Sequence, residues 1–190
     1  MKPLENRSRL TKVVSGGQTG VDQAALRAAK DCRLETGGWC PPGRVSETGV
    51  IPPEFPLKET KRERSADAPD VPRSQRTEWN VRDSDATLVL LGGTEEGASH
   101  PPSPGFGVAN SQAATEDAGT QWALQCAERY RRPSLICDVD DLDAKNKIQQ
   151  WLSGNCIKTL NVAGPSEGIA PGVGGRAYAL LRRVFETFDK

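Results

Sequence analysis

Three times in this chain a short apolar run stops at glycine, and twice a helix-forming run follows close behind. Val13-Val14 lead into Gly16-Gly17-Gln18-Thr19-Gly20 and then "VDQAAL". "ATLVLL" (86–91) leads into Gly92-Gly93-Thr94. "IKTLNVAG" (157–164) leads into Gly164-Pro165-Ser166, with a helical run from 174. A brief β-branched or leucine-rich run bounded by turn residues reads as a buried strand. Strands that alternate with helices predict an α/β fold with a mostly parallel sheet and helices on both faces.

The rest of the chain keeps that rhythm. The expected elements are a strand at 12–15 and a helix at 20–31, with Ala25 and Leu26 inward and Arg27, Lys30 and Asp31 outward. A short strand opens "ETGGWCPPGR", where Pro41, Pro42 and Gly43 forbid regular structure. Residues 45–72 read as extended and proline-rich, with "KETKRERSADAPD" a solvated, mobile face. Helices are expected at about 73–82, 118–131, 144–154 and 174–188, and a further strand at 134–139. Residues 97–116, rich in Pro, Gly and Ser, read as a flexible insertion in a single domain spanning 1–190.

Composition narrows the function. Lys plus Arg and Asp plus Glu each total 25, so the chain has no net charge to recruit nucleic acid or an anionic membrane. No apolar run approaches the ~20 residues that cross a bilayer, and the polar start "MKPLENRSRLTK" has no signal-peptide core. A cytoplasmic protein is expected. Its five cysteines form no CxxC pair, so reduced, mostly buried thiols are expected rather than disulfides or a zinc site. His100 is the only histidine, which disfavours a histidine-based triad or a multi-histidine metal centre. No catalytic nucleophile and no metal site is assigned.

Open α/β sheets bind ligands at the carboxyl ends of their strands. The glycine loops fall at three such ends. Glycine lets backbone approach a ligand, and a helix that starts behind such a loop points N–H groups and its positive dipole end at an anion. The candidate binding residues there are Gly16, Gly17, Gln18, Thr19, Gly20, Gly92, Gly93, Thr94, Gly164, Pro165 and Ser166, the hydroxyls adding donors. "GGQTG" is neither a Walker A loop nor a GxGxxG fingerprint. Arg76, Thr77 and Asn80 stand one and four residues apart on one helix, so a guanidinium and an amide share a face. Asp22 either caps the first helix or bonds a ligand donor. Trp39, in a glycine-rich turn, is placed to lie beside a flat ligand. On this reading Gly17→Asp fills the anion position and abolishes binding while the fold survives.

Taken together, "SGGQTGVDQAAL", "GGWCPPGR", "RTEWNVRDSDATLVL" and "LNVAGPSEGIAPGV" make the sequence resemble the molybdenum-cofactor carrier proteins over about residues 12–188. That group sits in a wider set with the lysine-decarboxylase-like, cytokinin-activating LOG-type proteins. The resemblance implies a Rossmann-like three-layer sandwich and a homo-oligomer, often a tetramer. It also implies that the chain binds the molybdenum cofactor (molybdopterin) as cargo, shields it, and hands it to enzymes such as nitrate reductase. In the family an Arg usually follows the Gly-Pro of the last motif; here Ser166 stands there. Two other readings stay open. One is a LOG-like nucleoside-monophosphate phosphoribohydrolase using Glu95 or Glu116, of whose PGGxGTxxE pattern "LGGTEEG" is a partial echo. The other is a sensor module for a nucleotide-like ligand.

Overall fold

The computed structural model of the chain describes residues 10–92 and 117–188. Its centre is a five-stranded, wholly parallel sheet in the order β2-β1-β9-β7-β8. These strands are β1 (Lys12–Val14), β2 (Glu35–Gly37), β7 (Ala86–Leu91), β8 (Ser134–Asp138) and β9 (Thr159–Ala163). Two small two-stranded sheets lie between β2 and β7 in sequence. β3 (Trp39–Cys40) pairs with β6 (Lys58–Glu59), and β4 (Val45–Ser46) pairs with β5 (Gly49–Val50) as a hairpin.

Every residue of β7 is buried, as a strand covered on both faces requires. Its side chains alternate: Leu88 and Leu90 join the large core on one face, and Val89 and Leu91 meet Leu124 on the other. The large core packs the sheet against α1 (Val21–Asp31), α4 (Ala144–Gly154) and α5 (Val173–Phe185). Ala24, Ala25, Ala28 and Ala29 are all buried, and their small side chains let α1 lie close against α5. The opposite face carries α2 (Ser74–Arg82) and α3 (Ala118–Arg129), joined through Val81, Trp122 and Cys126. The three-layer α/β sandwich read from the sequence is the fold observed.

The strand order places the site. From β1 the chain crosses by α1 outward to β2, and β8 lies outward of β7 on the other side. The last strand, β9, returns to fill the middle between β1 and β7. That reversal opens a crevice at the carboxyl ends of three adjacent strands. Those strands are the ones that end in the three glycine segments.

The stretch read as a solvated, mobile face is instead folded. Thr60 Oγ1 donates to Arg62 O, the Ser65 N–H donates to Ser74 Oγ, and the Ser65 hydroxyl donates to buried Glu78. Tyr130 Oη donates to the other oxygen of Glu78 at 2.7 Å. Burial, then the bond to Glu78, pushes the Tyr130 phenol up to about 12. Polar long-range bonds of this kind leave no hydrophobic period in a sequence. The expected insertion at 97–116, with His100, lies outside the described residues.

Four of the five cysteines, Cys32, Cys40, Cys126 and Cys137, are buried, Cys156 is exposed, and none is in a disulfide. Among the described residues no helix is long and apolar enough to cross a membrane, and no three His, Cys, Asp or Glu side chains are grouped to hold a metal ion.

Candidate functional site

A cavity of about 220 Å³ opens at the carboxyl edge of the sheet. Gln18 and Asp22 reach it from the first loop and helix, Arg73, Arg76 and Thr77 from α2, and Gly164 and Ser166 from the end of β9. Glu47, on the hairpin β4–β5, and Asp117, which caps α3, complete the wall. Six residues expected from the sequence therefore meet in one place: Gln18, Asp22, Arg76, Thr77, Gly164 and Ser166.

Arg76 is the centre of this arrangement. Its Nη1 donates to Asp22 Oδ2 at 2.9 Å, with the two side chains 15% and 2% exposed. The guanidinium lies so close over Gly16 that a Cβ there would stand 1.8 Å from Nη1. Gly16 is needed because a side chain above it, not a turn, takes the space. The second Asp22 role is local: the same Oδ2 accepts the Gln18 N–H at 3.1 Å and ties the loop to its helix. Asp22 is thus committed to protein partners.

Several amides of the first loop and helix are paired within the protein. The Thr19 N–H goes to Gln18 Oε1, the Val21 N–H to Pro165 O at 3.2 Å, and the Gln23 N–H to Gln18 O at 3.1 Å. These N–H groups at the start of α1 are satisfied from within the protein. What remains is different. Gln18 is 6% exposed, its Oε1 accepts two backbone N–H groups, and its buried Nε2 has no partner among the described residues. The buried Nε of Arg76 is likewise unpartnered among the described residues, and Arg73 lines the same cavity. Buried donors of this kind are costly unless an acceptor meets them.

Glu47 closes the remaining side. Its carboxylate accepts from Thr19 Oγ1 at 2.6 Å, from the Gly168 N–H at 3.2 Å and from Ser166 Oγ. Its own N–H donates to Gln18 Oε1 at 2.8 Å. Burial alone would raise the Glu47 carboxyl. The Ser166, Thr19 and Gly168 donors, with Arg73 nearby, outweigh that and hold it below the usual carboxylate range. Sequence reading missed Glu47, which stands in a turn with no motif around it.

Other expected residues lie elsewhere. Gly17 has φ +78°, and a Cβ there would meet Leu57 Cδ1 at 2.6 Å and Ile51 Cδ1 at 3.0 Å. It faces an apolar cluster, so Gly17→Asp strikes the core rather than an anion position. Gly20 packs against the Pro165 carbonyl, Gly164 against Leu90 O and Val21, and Gly92 against Val173, all close approaches between elements. Asn80 is spent on the backbone: Oδ1 accepts the Trp39 N–H at 2.8 Å and Nδ2 donates to Trp39 O at 2.9 Å. The Trp39 ring packs edge-on to Trp79 at 4.7 Å and donates Nε1–H to Asp83, away from the cavity. Arg82 holds the Asp83 carboxyl below its ordinary value against burial, with help from that indole and Lys58. Gly93 and Thr94, like Glu95 and Glu116, lie outside the described residues.

A second cavity, about 570 Å³, lies on the far side of Thr19 and Gly20, between α1 and α5. It is larger, but Arg73, Arg76 and the unpartnered Gln18 amide belong to the smaller one.

With this geometry in view, residues 13–185 match the circularly permutated YpsA SLOG family. The chain belongs to that family. Permutation suits the strand order, in which the last strand sits at the middle of the sheet. A crystal structure of a protein from Syntrophus aciditrophicus SB, provisionally named a molybdenum carrier protein, is 33% identical. The likeness covers 93% of this chain and 96% of that one, with a TM-score of 0.72. No curated protein matches.

Proposed function

We propose that this SLOG family member is a non-enzymatic carrier that holds the molybdenum cofactor by an anionic end in the crevice lined by Arg73, Arg76 and Gln18. The observation that carries the reading is one cavity lined by Gln18, Arg73 and Arg76, in which Gln18 Nε2 and Arg76 Nε are buried with no partner among the described residues. A phosphate or an oxo-metal group presents several acceptors at once, and guanidinium suits them. The name of the Syntrophus protein supports the choice of cargo. At about 220 Å³ the cavity is below the ~300–1,000 Å³ typical of organic-ligand pockets. It suits the compact anionic end, with the pterin outside it. A binding role asks for no nucleophile or general base.

The test is transfer. Purified protein mixed with molybdenum cofactor should slow its oxidative decay and activate cofactor-free nitrate reductase. Neither protection nor activation would overturn the carrier reading. Release of free base from a nucleoside monophosphate would replace it with the LOG-like hydrolase.

A further inference from the structure

The cavity as it stands is already saturated with charge. Arg73 and Arg76 face three carboxylates, Asp22, Glu47 and Asp117. Asp22 is fixed by Arg76 and the Gln18 N–H, and Asp117 by the Thr120 N–H and hydroxyl at the start of α3. Glu47 differs from both. It is exposed, it sits at the tip of a two-stranded hairpin, and that hairpin shows Val45 and Val50 to solvent at 50% and 74% exposure. Its carboxylate takes two hydroxyls and a backbone N–H from the loops after β1 and β9. Those are donors of the kind that an oxyanion of a ligand requires. The buried Gln18 side chain links the two halves, accepting the Glu47 N–H through Oε1 while its Nε2 is buried with no partner among the described residues.

We propose that Glu47 is an internal competitor for the ligand. Its carboxylate occupies an oxyanion subsite formed by Thr19, Ser166 and Gly168, and a ligand oxyanion takes that subsite only when hairpin β4–β5 releases it. This rests on the reading of the crevice as an anion site and adds a second subsite next to Arg73 and Arg76. Once Glu47 leaves, two arginines face two carboxylates, and like-charge repulsion of an entering anion falls. The preferred ligand carries two anionic groups a short distance apart. Ser166 then has a function as it stands: a hydroxyl donates equally to the resident carboxylate and to an incoming oxyanion.

Inorganic pyrophosphate is the probe, titrated calorimetrically into wild type, Glu47→Ala, Glu47→Gln and Arg76→Ala, with hydrogen exchange followed in wild type. The expected result is that Glu47→Ala binds about tenfold tighter than wild type, Glu47→Gln lies between them, and Arg76→Ala binds worst. Pyrophosphate should speed exchange in 45–50 while slowing it in 166–168. If wild type binds, Arg76→Ala does not, and Glu47→Ala binds no tighter, Glu47 is only a clasp; the competitor is overturned and the anion site stands. Should neither wild type nor Glu47→Ala bind, the anion site falls and the competitor with it. Should Glu47→Ala fail to fold, wild-type exchange decides: 45–50 slowed together with 166–168 overturns the proposal.

Discussion

Arg76 lies flat across Gly16, its Nη1 within 1.8 Å of where a Cβ on that glycine would stand, while donating to Asp22 at 2.9 Å. One residue later, Gly17 turns its Cα to Leu57 and Ile51 instead. Adjacent glycines thus serve opposite ends, one making room for a cation at the crevice and one for the core beneath it.

Gly16→Ala and Gly17→Ala should therefore part company. The φ of Gly16 is outside the left-handed region, so alanine fits the backbone and displaces only the guanidinium. Pyrophosphate affinity should fall about tenfold, and the urea midpoint should fall too, because the displaced guanidinium leaves buried Asp22 without its cation. Gly17→Ala combines φ +78° with overlap of Leu57, and should lose about 1–3 kcal/mol of stability. Unchanged pyrophosphate affinity in Gly16→Ala, or an equal affinity loss in a folded Gly17→Ala, would refute this division.

Asp22→Asn leaves the half-buried Arg76 without its ionised partner. Breaking a buried pair from one side costs about 3–5 kcal/mol, and the partial exposure of Arg76 puts the expectation at the low end. Urea unfolding measures it; a loss under about 0.5 kcal/mol would mean that Arg76 finds water or another acceptor.

Asn80→Ala removes both bonds that pin Trp39. A stability loss of about 2 kcal/mol is expected, with affinity for pyrophosphate unchanged. A large affinity loss in a fully folded variant would return Asn80 to the binding site.

The Glu47 interlock carries a pH signature. Its carboxyl lies lower in the folded chain than its ordinary value, so the folded state holds fewer protons there than the unfolded state. That contribution is complete above the ordinary carboxylate value and is lost as pH falls through the lower folded value. The stability difference between wild type and Glu47→Gln should be greatest near neutrality and shrink on acidification below that range. A difference that grows in acid would contradict the depressed carboxyl.

Much of this was legible in the sequence because it is written in short-range pattern. Strand β7 is an apolar run that stops at Gly92, and helix α1 is an alanine-rich run that starts after Gly20, so these limits follow from local residues. The clustering of Gln18, Asp22 and Ser166 follows from adjacent strand ends, and Arg76 joins them from α2. Partner choice was not legible. Nothing local reveals that the Pro165 carbonyl takes the first N–H of α1, that Asn80 clamps the Trp39 backbone, or that Glu78 gathers Ser65 and Tyr130. Each is a contact between residues far apart in the chain, made by a backbone carbonyl or a common polar side chain. Glu47 was hidden for the same reason: its meaning lies in three donors drawn from both ends of the chain.

The most direct measurement is equilibrium binding of purified molybdenum cofactor to wild type and to the Arg73→Ala/Arg76→Ala double variant, with folding of both verified by circular dichroism. Binding by wild type that drops by about a hundredfold or more in the folded double variant is the predicted result. Equal binding by the two proteins, or no binding by wild type, would contradict an anionic cargo held by the arginines of α2.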